Sequence, residues 1–309
     1  MCNNSDEKDY AYRNKGEFLD LLNPEGFLAV DQLRKLSLTG IPDDLRSSVW
    51  KYLLGVSISD IAEEEFNRKE RAQQYASLFR EYSEDLKFIK VEIYRYRSDI
   101  PLFSDPNVQK TFINVITSYL TQNPQLRYTA SLVHLCGPLI YVYLHSPDTE
   151  LPIPKQICSF CEPFVYYSFQ SLLSRLKFDE DFEDYFREML GNLINLMREL
   201  IPELQSHFDD EELELKDWAH SWIRSLLAYE LPMCCLLRLW DTYFSHEDGL
   251  GLHPYVCLAI LVNLKEDLEE LDHSDLLRSL RKLPDMDMDK VVIAQAFNFK
   301  FEITGKNIL

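Results

Sequence analysis

Gly40-Ile41-Pro42-Asp43-Asp44-Leu45-Arg46-Ser47-Ser48-Val49-Trp50-Lys51-Tyr52-Leu53-Leu54-Gly55 reads as one complete helical unit. Pro42 and the Asp43-Asp44 pair suit a helix start, and Gly55 suits its stop. Between them Leu45, Val49, Trp50, Leu53 and Leu54 recur at three- and four-residue intervals, which makes a stripe to bury. Arg46 lies off the centre of that stripe, where an arginine at the buried edge is expected to tie the helix to a neighbouring element. The same spacing recurs on both sides of this unit, without strict alternation. With only 9 glycines in 309 residues there is little material for tight turns. The expectation is an all-α fold.

On the N-terminal side, residues 1 to 16 mix charges with Asn and Ser and read as a loose tail. Phe18, Leu19, Leu21, Leu22, Phe27, Leu28, Leu33 and Leu36 then predict short helical pieces. On the C-terminal side, Glu63 to Arg97 is charged with a 3.6-residue period, one helix or two, and Phe66, Tyr75, Leu78, Phe79, Tyr82, Leu86 and Ile89 face inward. Val108 to Tyr119 predicts another helix. Leu126 to His145 is apolar nearly all round, as in a central helix packed on several sides. Ser146 to Pro154 is turn-rich and marks the expected boundary between two lobes, about 17–150 and 151–309 of one domain spanning 17–309. Helices follow over about Ile157 to Leu176, Phe182 to Glu203, Asp217 to Tyr229, from Leu231-Pro232-Met233 to Phe244, Tyr255 to Leu271, Ser274 to Leu283 and Asp287 to Phe299.

Composition excludes several functions. A net charge of -19 and a pI near 4.8 argue against nucleic acid, whose phosphates need a basic surface, and against an anionic membrane. No run approaches the 18 or so apolar residues of a membrane span. Seven cysteines lie scattered among apolar neighbours, and Met1 to Asn14 lacks the apolar core of a secretory signal, so the expected compartment is reducing and cytoplasmic.

Few stretches carry chemistry. Cys158-Ser159-Phe160-Cys161 has a CxxC spacing but no second spaced ligand pair, and buried helix cysteines are the better account. Asp285-Met286-Asp287-Met288-Asp289 imitates the start of a calcium loop, with Lys290 where Gly and Ala296 where Glu would be needed; it reads as helix capping. The acidic runs Asp179-Glu180-Asp181 and Asp209-Asp210-Glu211-Glu212 with Glu214 read as solvated helix starts. His134, inside an apolar helix, reads as a core histidine. No glycine-rich phosphate loop or nucleophile elbow is present, so the chain is not expected to hold a nucleotide itself. Ile89-Lys90-Val91-Glu92-Ile93-Tyr94-Arg95 sets an anchor, an acid and an arginine three residues apart, just before the break at Pro101. Glu92 is expected to hold Arg95, whose guanidinium is then offered to a partner's phosphates. The plainer reading of the pair is a surface ion pair worth little.

Four stretches in order resemble the TBC domain, the helical domain of Rab GTPase-activating proteins. Gly40-Ile41-Pro42 with Leu45-Arg46-Ser47-Ser48-Val49-Trp50 and Leu53-Leu54-Gly55 is similar to its R-x-x-V-W-x-x-L-L-G signature. Ile89, Glu92 and Arg95 are similar to I-x-x-D-x-x-R, with Glu92 in place of the aspartate. Tyr128 to Leu139 stands where the family carries Y-x-Q-G before an apolar helix with a proline. Glu230-Leu231-Pro232 through Leu237-Arg238-Leu239-Trp240-Asp241 is similar to P-x-x-x-x-L-R-L-W-D. The resemblance spans Gly40 to about Phe299.

It implies a two-lobed TBC fold, a Rab-type small GTPase as partner, and a role in vesicle trafficking at endomembranes reached through partners. It implies no cofactor of the chain's own: GTP and magnesium belong to the GTPase, and the chain acts as an activator without a substrate of its own. Arg95 then matches the arginine finger, with Glu92, Arg46, Trp50 and Tyr128 in support; Arg97 is out of register. In the glutamine-finger motif, Ala130 replaces the glutamine and Ser131 the glycine. Alanine offers no side-chain hydrogen bond, so the water-orienting half is missing. Two readings follow: an activator working through Arg95 while the GTPase uses its own glutamine, or a TBC-fold adaptor that binds a GTPase, scaffold or complex subunits without stimulating hydrolysis.

Overall fold

A computed structural model describes residues 14–23, 25–78, 85–144, 161–178 and 182–305. The chain is all-α: among the described residues there are helices and one isolated bridge, Phe27 to Asp60, and no strand. It divides into two compact units, within 6–180 and 181–309. The expected lobe boundary at Ser146 to Pro154 lies outside the described residues, as do the tail through residue 13, Cys158 and the acidic run at 179–181.

The first unit contains α1 (Lys15–Leu22), α2 (Val30–Ser37), α3 (Arg46–Leu53), α4 (Ile61–Ser77), α5 (Leu86–Arg95), α6 (Pro106–Gln122), α7 (Ser131–Leu144) and α8 (Cys161–Arg175). Helix α3 forms within the stretch from Gly40 to Gly55. It ends as the glycine requires: Gly55 takes φ +70°, Val56 N–H reaches Lys51 O at 2.7 Å and Gly55 N–H reaches Tyr52 O at 3.0 Å, a paired C-terminal lock that places the φ where only glycine is unstrained. Its last carbonyl, Leu53 O, accepts from Arg175 Nη2 at 2.6 Å and Arg34 Nη2 at 3.4 Å, cations placed where the helix dipole is negative. Val49, Trp50 and Leu53 are fully buried. Arg46 is buried as well, but it holds the lead-in of its own helix, donating to Ile41 O at 2.8 Å and to the exposed Asp43 carboxylate.

The charged stretch after Glu63 forms two helices, α4 and α5. Tyr75 and Ile89 face inward as expected, whereas Phe66 is 71% exposed. The 3.6-residue period places it only within an apolar arc, and too few apolar residues on α4 reinforce that arc. Helix α7 is buried nearly all round, its expected central position, with α6 and α8 packed against it.

The second unit contains α9 (Phe182–Leu200), α10 (Pro202–Asp210), α11 (Leu215–Arg224), α12 (Met233–Ser245), α13 (His253–Leu268), α14 (His273–Arg281), a π-helical segment Met288–Ile293 and α15 (Ala294–Thr304). Two expectations are corrected here. The Phe182 to Glu203 helix breaks at Ile201-Pro202, because proline lacks the N–H of an interior position and takes a first-turn place instead. In consequence Asp209 and Asp210 end a helix where they were expected to start one. Glu211 serves the start of α14 instead, its carboxylate accepting His273 N–H at 2.8 Å. In the 285–289 acidic run, Asp287 caps the π segment through Lys290 N–H at 2.9 Å, the expected role, while Asp289 pairs with Arg238 and Asp285 accepts from the Cys235 thiol at 3.1 Å. Cys234 is disulfide-bonded, so it brings no thiolate to this acid group.

The core of this unit is aromatic. Trp218 and Trp222 meet edge to face at 5.0 Å, and Trp222 donates to Leu280 O at 2.9 Å. His253, fully buried, stands between Tyr243 Oη at 2.7 Å and Trp222 O at 2.9 Å. Burial lowers its pKa to about 4, so the ring is neutral at physiological pH. Nε2–H then donates to the carbonyl while Nδ1 accepts the tyrosine proton.

Candidate functional site

Arg95 is the last residue of α5 and is exposed; among the described residues it forms no hydrogen bond or ion pair. Its position is set by its neighbours. Ile89 and Ile93 are buried on the inner face of α5, and Tyr96, the residue after Arg95, leaves the helix with ψ 116° and turns into the core. There the Tyr96 ring meets Phe103 at 4.8 Å, His134 at 5.5 Å and Phe112 at 5.6 Å. Arg97 follows with φ 39°, a left-handed turn that carries the chain away from the helix axis. The guanidinium of Arg95 thus hangs on a backbone pinned immediately after it.

Glycine makes this possible. A Cβ on Gly137 of α7 would stand 2.2 Å from Tyr96 Oη and 2.3 Å from its Cζ, so the ring occupies the space that any other residue would need. Gly137→Ala is expected to destabilise the protein by about 1–3 kcal/mol, since Tyr96 is hemmed in by three rings and cannot step aside freely. Urea unfolding checks this; unchanged stability would mean the ring relaxes at no cost.

Glu92 does not pair with Arg95. Its carboxylate Oε1 lies 3.1 Å from His134 Nε2, a link between α5 and α7 that replaces the expected hold on the arginine. Geometry explains the exchange: His134 is buried beside Tyr96, whereas Arg95, free in water, loses side-chain entropy if it folds back. The hydrogen bond from His134 keeps the Glu92 carboxyl below its ordinary 4.5; burial opposes this, and the charges of His134 and then Arg95 add to the lowering. A carboxyl lowered in the folded state contributes stability that is complete above its unfolded pKa and fades as pH falls through the folded one. Glu92→Gln is accordingly expected to cost stability at neutral pH, with the difference from wild type shrinking on acidification below about 4.5. Urea midpoints at both pH values test it; a difference independent of pH would assign the loss to packing.

The stretch Tyr128 to Ser131 leads into α7, the helix that α5 packs on. Tyr128 is half-buried, and burial raises its pKa, with further upward pushes from the Glu92 and Asp85 carboxylates. Both carboxylates belong to α5 and its N-terminal cap. Its hydroxyl is buried and finds no hydrogen-bond partner among the described residues. Ala130 is exposed and precedes the first turn of α7, its carbonyl accepting Val133 N–H at 3.0 Å. Ser131, buried, shares a 2.7 Å hydrogen bond with Thr129 Oγ1, so its hydroxyl is turned to the local turn.

Glu92 and Tyr96 meet α7 at His134 and Gly137, so the end of α5 that carries Arg95 lies along the helix that Tyr128, Ala130 and Ser131 lead into. Arg46 and Trp50 are not with them as polar groups; they hold the buried side of α3. Sequence reasoning placed His134 in the core, where it lies, but missed its link to Glu92 and passed over Tyr96 and Gly137. The one available signal was the glycine inside an apolar helix, which marks a close approach.

The chain is all-helical among the described residues, with Arg95 exposed at the end of one helix. The Rab-GTPase-TBC domain profile matches residues 43–269, and the chain belongs to that family. TBC1 domain family member 22A of Homo sapiens is 28% identical over 296 residues, covering 88% of this chain and 57% of the relative. The GTPase-activating protein gyp1 of Schizosaccharomyces pombe is 24% identical over 308 residues, covering 89% and 59%. The chain thus spans less than two thirds of the length of these relatives. In fold it is similar to the crystal structure of the Ypt/Rab-GAP domain of Gyp1p, with a TM-score of 0.84 at 21% identity over 95% of this chain and 99% of that one. The Chlamydomonas flagellar RabGAP TBC domain aligns with a TM-score of 0.67 at 19% identity.

Proposed function

We propose that this chain binds a Rab-type small GTPase in its GTP-loaded form and stimulates hydrolysis through Arg95. The observation that carries the reading is the exposed Arg95 at the end of a helix whose next residue, Tyr96, is locked against α7. A guanidinium delivered to the transferring phosphoryl group neutralises charge that grows in the transition state. Holding the backbone still means little of that stabilisation is spent on ordering the loop. Glu92, tied to His134, acts as a positioning residue that keeps a negative field behind the arginine without clamping it. Tyr128 closes the side nearest Ala130. Since Ala130 cannot orient water, that task falls to a glutamine of the GTPase itself. The chain works on Rab-bearing endomembranes, in vesicle trafficking, from the cytoplasm, and reaches the membrane through its partner.

Ala130 also favours a second reading, a TBC-fold adaptor that docks a GTPase or joins complex subunits without accelerating hydrolysis. Single-turnover GTP hydrolysis over a Rab panel separates the two. Acceleration by the wild-type chain supports the activator; binding to GTP-loaded Rab without acceleration supports the adaptor, and neither effect would remove both.

A further inference from the structure

Helix α5 has a second unusual face. Phe88 is 64% exposed, Val91 41% and Tyr94 77%, three large apolar side chains standing in water on a single helix. Around them Lys87, Lys90 and Arg95 are exposed and form no hydrogen bond or ion pair among the described residues. At 100° per residue these six fall on one arc of about 160°, opposite Ile89 and Ile93, and run about 12 Å along the axis. On a chain of net charge -19 acids are plentiful, and other surface cations have found them: Lys51 with Glu64, Lys265 with Glu203, Arg224 with Glu183. Three cations without ion pairs among the described residues, interleaved with exposed large apolar side chains, make a patch of the kind that marks an interaction surface.

We propose that this face of α5 is a docking ridge for the GTPase, seating on an apolar patch edged with carboxylates next to the nucleotide; the proposal rests on the GTPase reading above. Arg95 belongs to both the ridge and the proposed finger, so a partner seated on the ridge brings its phosphates to the guanidinium. Tyr94 and Phe88 are the anchors, since aromatic side chains with few rotatable bonds dominate the energy of interface centres. Lys87 and Lys90 complement the carboxylate edge and speed encounter. The inner face of α5 is fixed in the core and by the Glu92–His134 link, so the ridge binds without ordering a loop. A lipid surface is the poorer fit, because the ridge is one short helix on a chain whose net charge repels anionic headgroups.

The test uses the full chain and a GTPase that it stimulates. In Phe88→Ala/Tyr94→Ala, KM for the GTP-loaded GTPase is expected to rise about tenfold or more, with kcat changing far less. Lys87→Glu/Lys90→Glu is expected to raise KM and to flatten its dependence on salt. Phe66→Ala, an equally exposed aromatic on α4, serves as the control that leaves both constants alone. Since all the substituted side chains are exposed, an unchanged unfolding midpoint is expected throughout. An unchanged KM in the aromatic double variant overturns the ridge and leaves the proposed function standing. Loss of binding to phosphatidylserine vesicles with KM unchanged also overturns it, assigning the face to lipid. A wild-type chain that neither binds nor stimulates any GTPase of the panel overturns both.

Discussion

Arg95→Ala is expected to lower the stimulated rate of GTP hydrolysis about 10³-fold or more, with KM for the GTPase changed far less than kcat. The size follows from where the guanidinium acts. Charge on the phosphoryl oxygens is redistributed only as the bond to the leaving group stretches, so a donor aimed there lowers the transition state more than the bound complex. Alanine removes both the charge and its fork of donors. Folding is untouched, because Arg95 is exposed and bears no hydrogen bond or ion pair among the described residues. Arg95→Lys is expected to recover only part of the rate, since an ammonium is a point charge without the planar fork. Single-turnover hydrolysis at saturating chain reads the effect directly. An Arg95→Ala chain as active as wild type would remove the finger from this residue, and Arg97, with its left-handed backbone, would not replace it without a change of register.

Ala130→Gln is the change expected to increase activity, by about tenfold to a hundredfold if the amide reaches the attacking water. Ala130 is exposed at the entrance to α7, so the longer side chain displaces nothing in the core. The carbonyl of residue 130 already caps the first turn of that helix, and this backbone contact survives the substitution. What the variant adds is a donor and an acceptor at a place that offers neither. The control is Ala130→Leu, similar in reach but unable to form a hydrogen bond. A gain in the glutamine variant alone supports a geometry that still admits a second finger. Equal rates in wild type and both variants would mean that water is positioned entirely from the GTPase side.

Most helices were legible because their signals are local. Gly55 announced the end of α3 through a backbone angle that other residues avoid, and Ile89 announced the inner face of α5 through spacing alone. Pro202 shows the limit of such reading: the apolar period ran on to Glu203, yet one missing N–H divided the segment into two helices and turned Asp209 and Asp210 from a start into an end. Phe66 shows another limit, for periodicity names a face without saying whether anything packs on it.

At the candidate site the residue types were visible and their partners were not. By itself the sequence determined the all-α class and the helix that carries Arg95, because spacing and caps are properties of neighbouring residues. Only the tertiary structure decided that Glu92 holds His134 in preference to Arg95 and that Tyr96 fills the space left by Gly137. Those contacts join helices some forty residues apart in the chain, and they are chosen by competition for burial in a shared core, which no local pattern records.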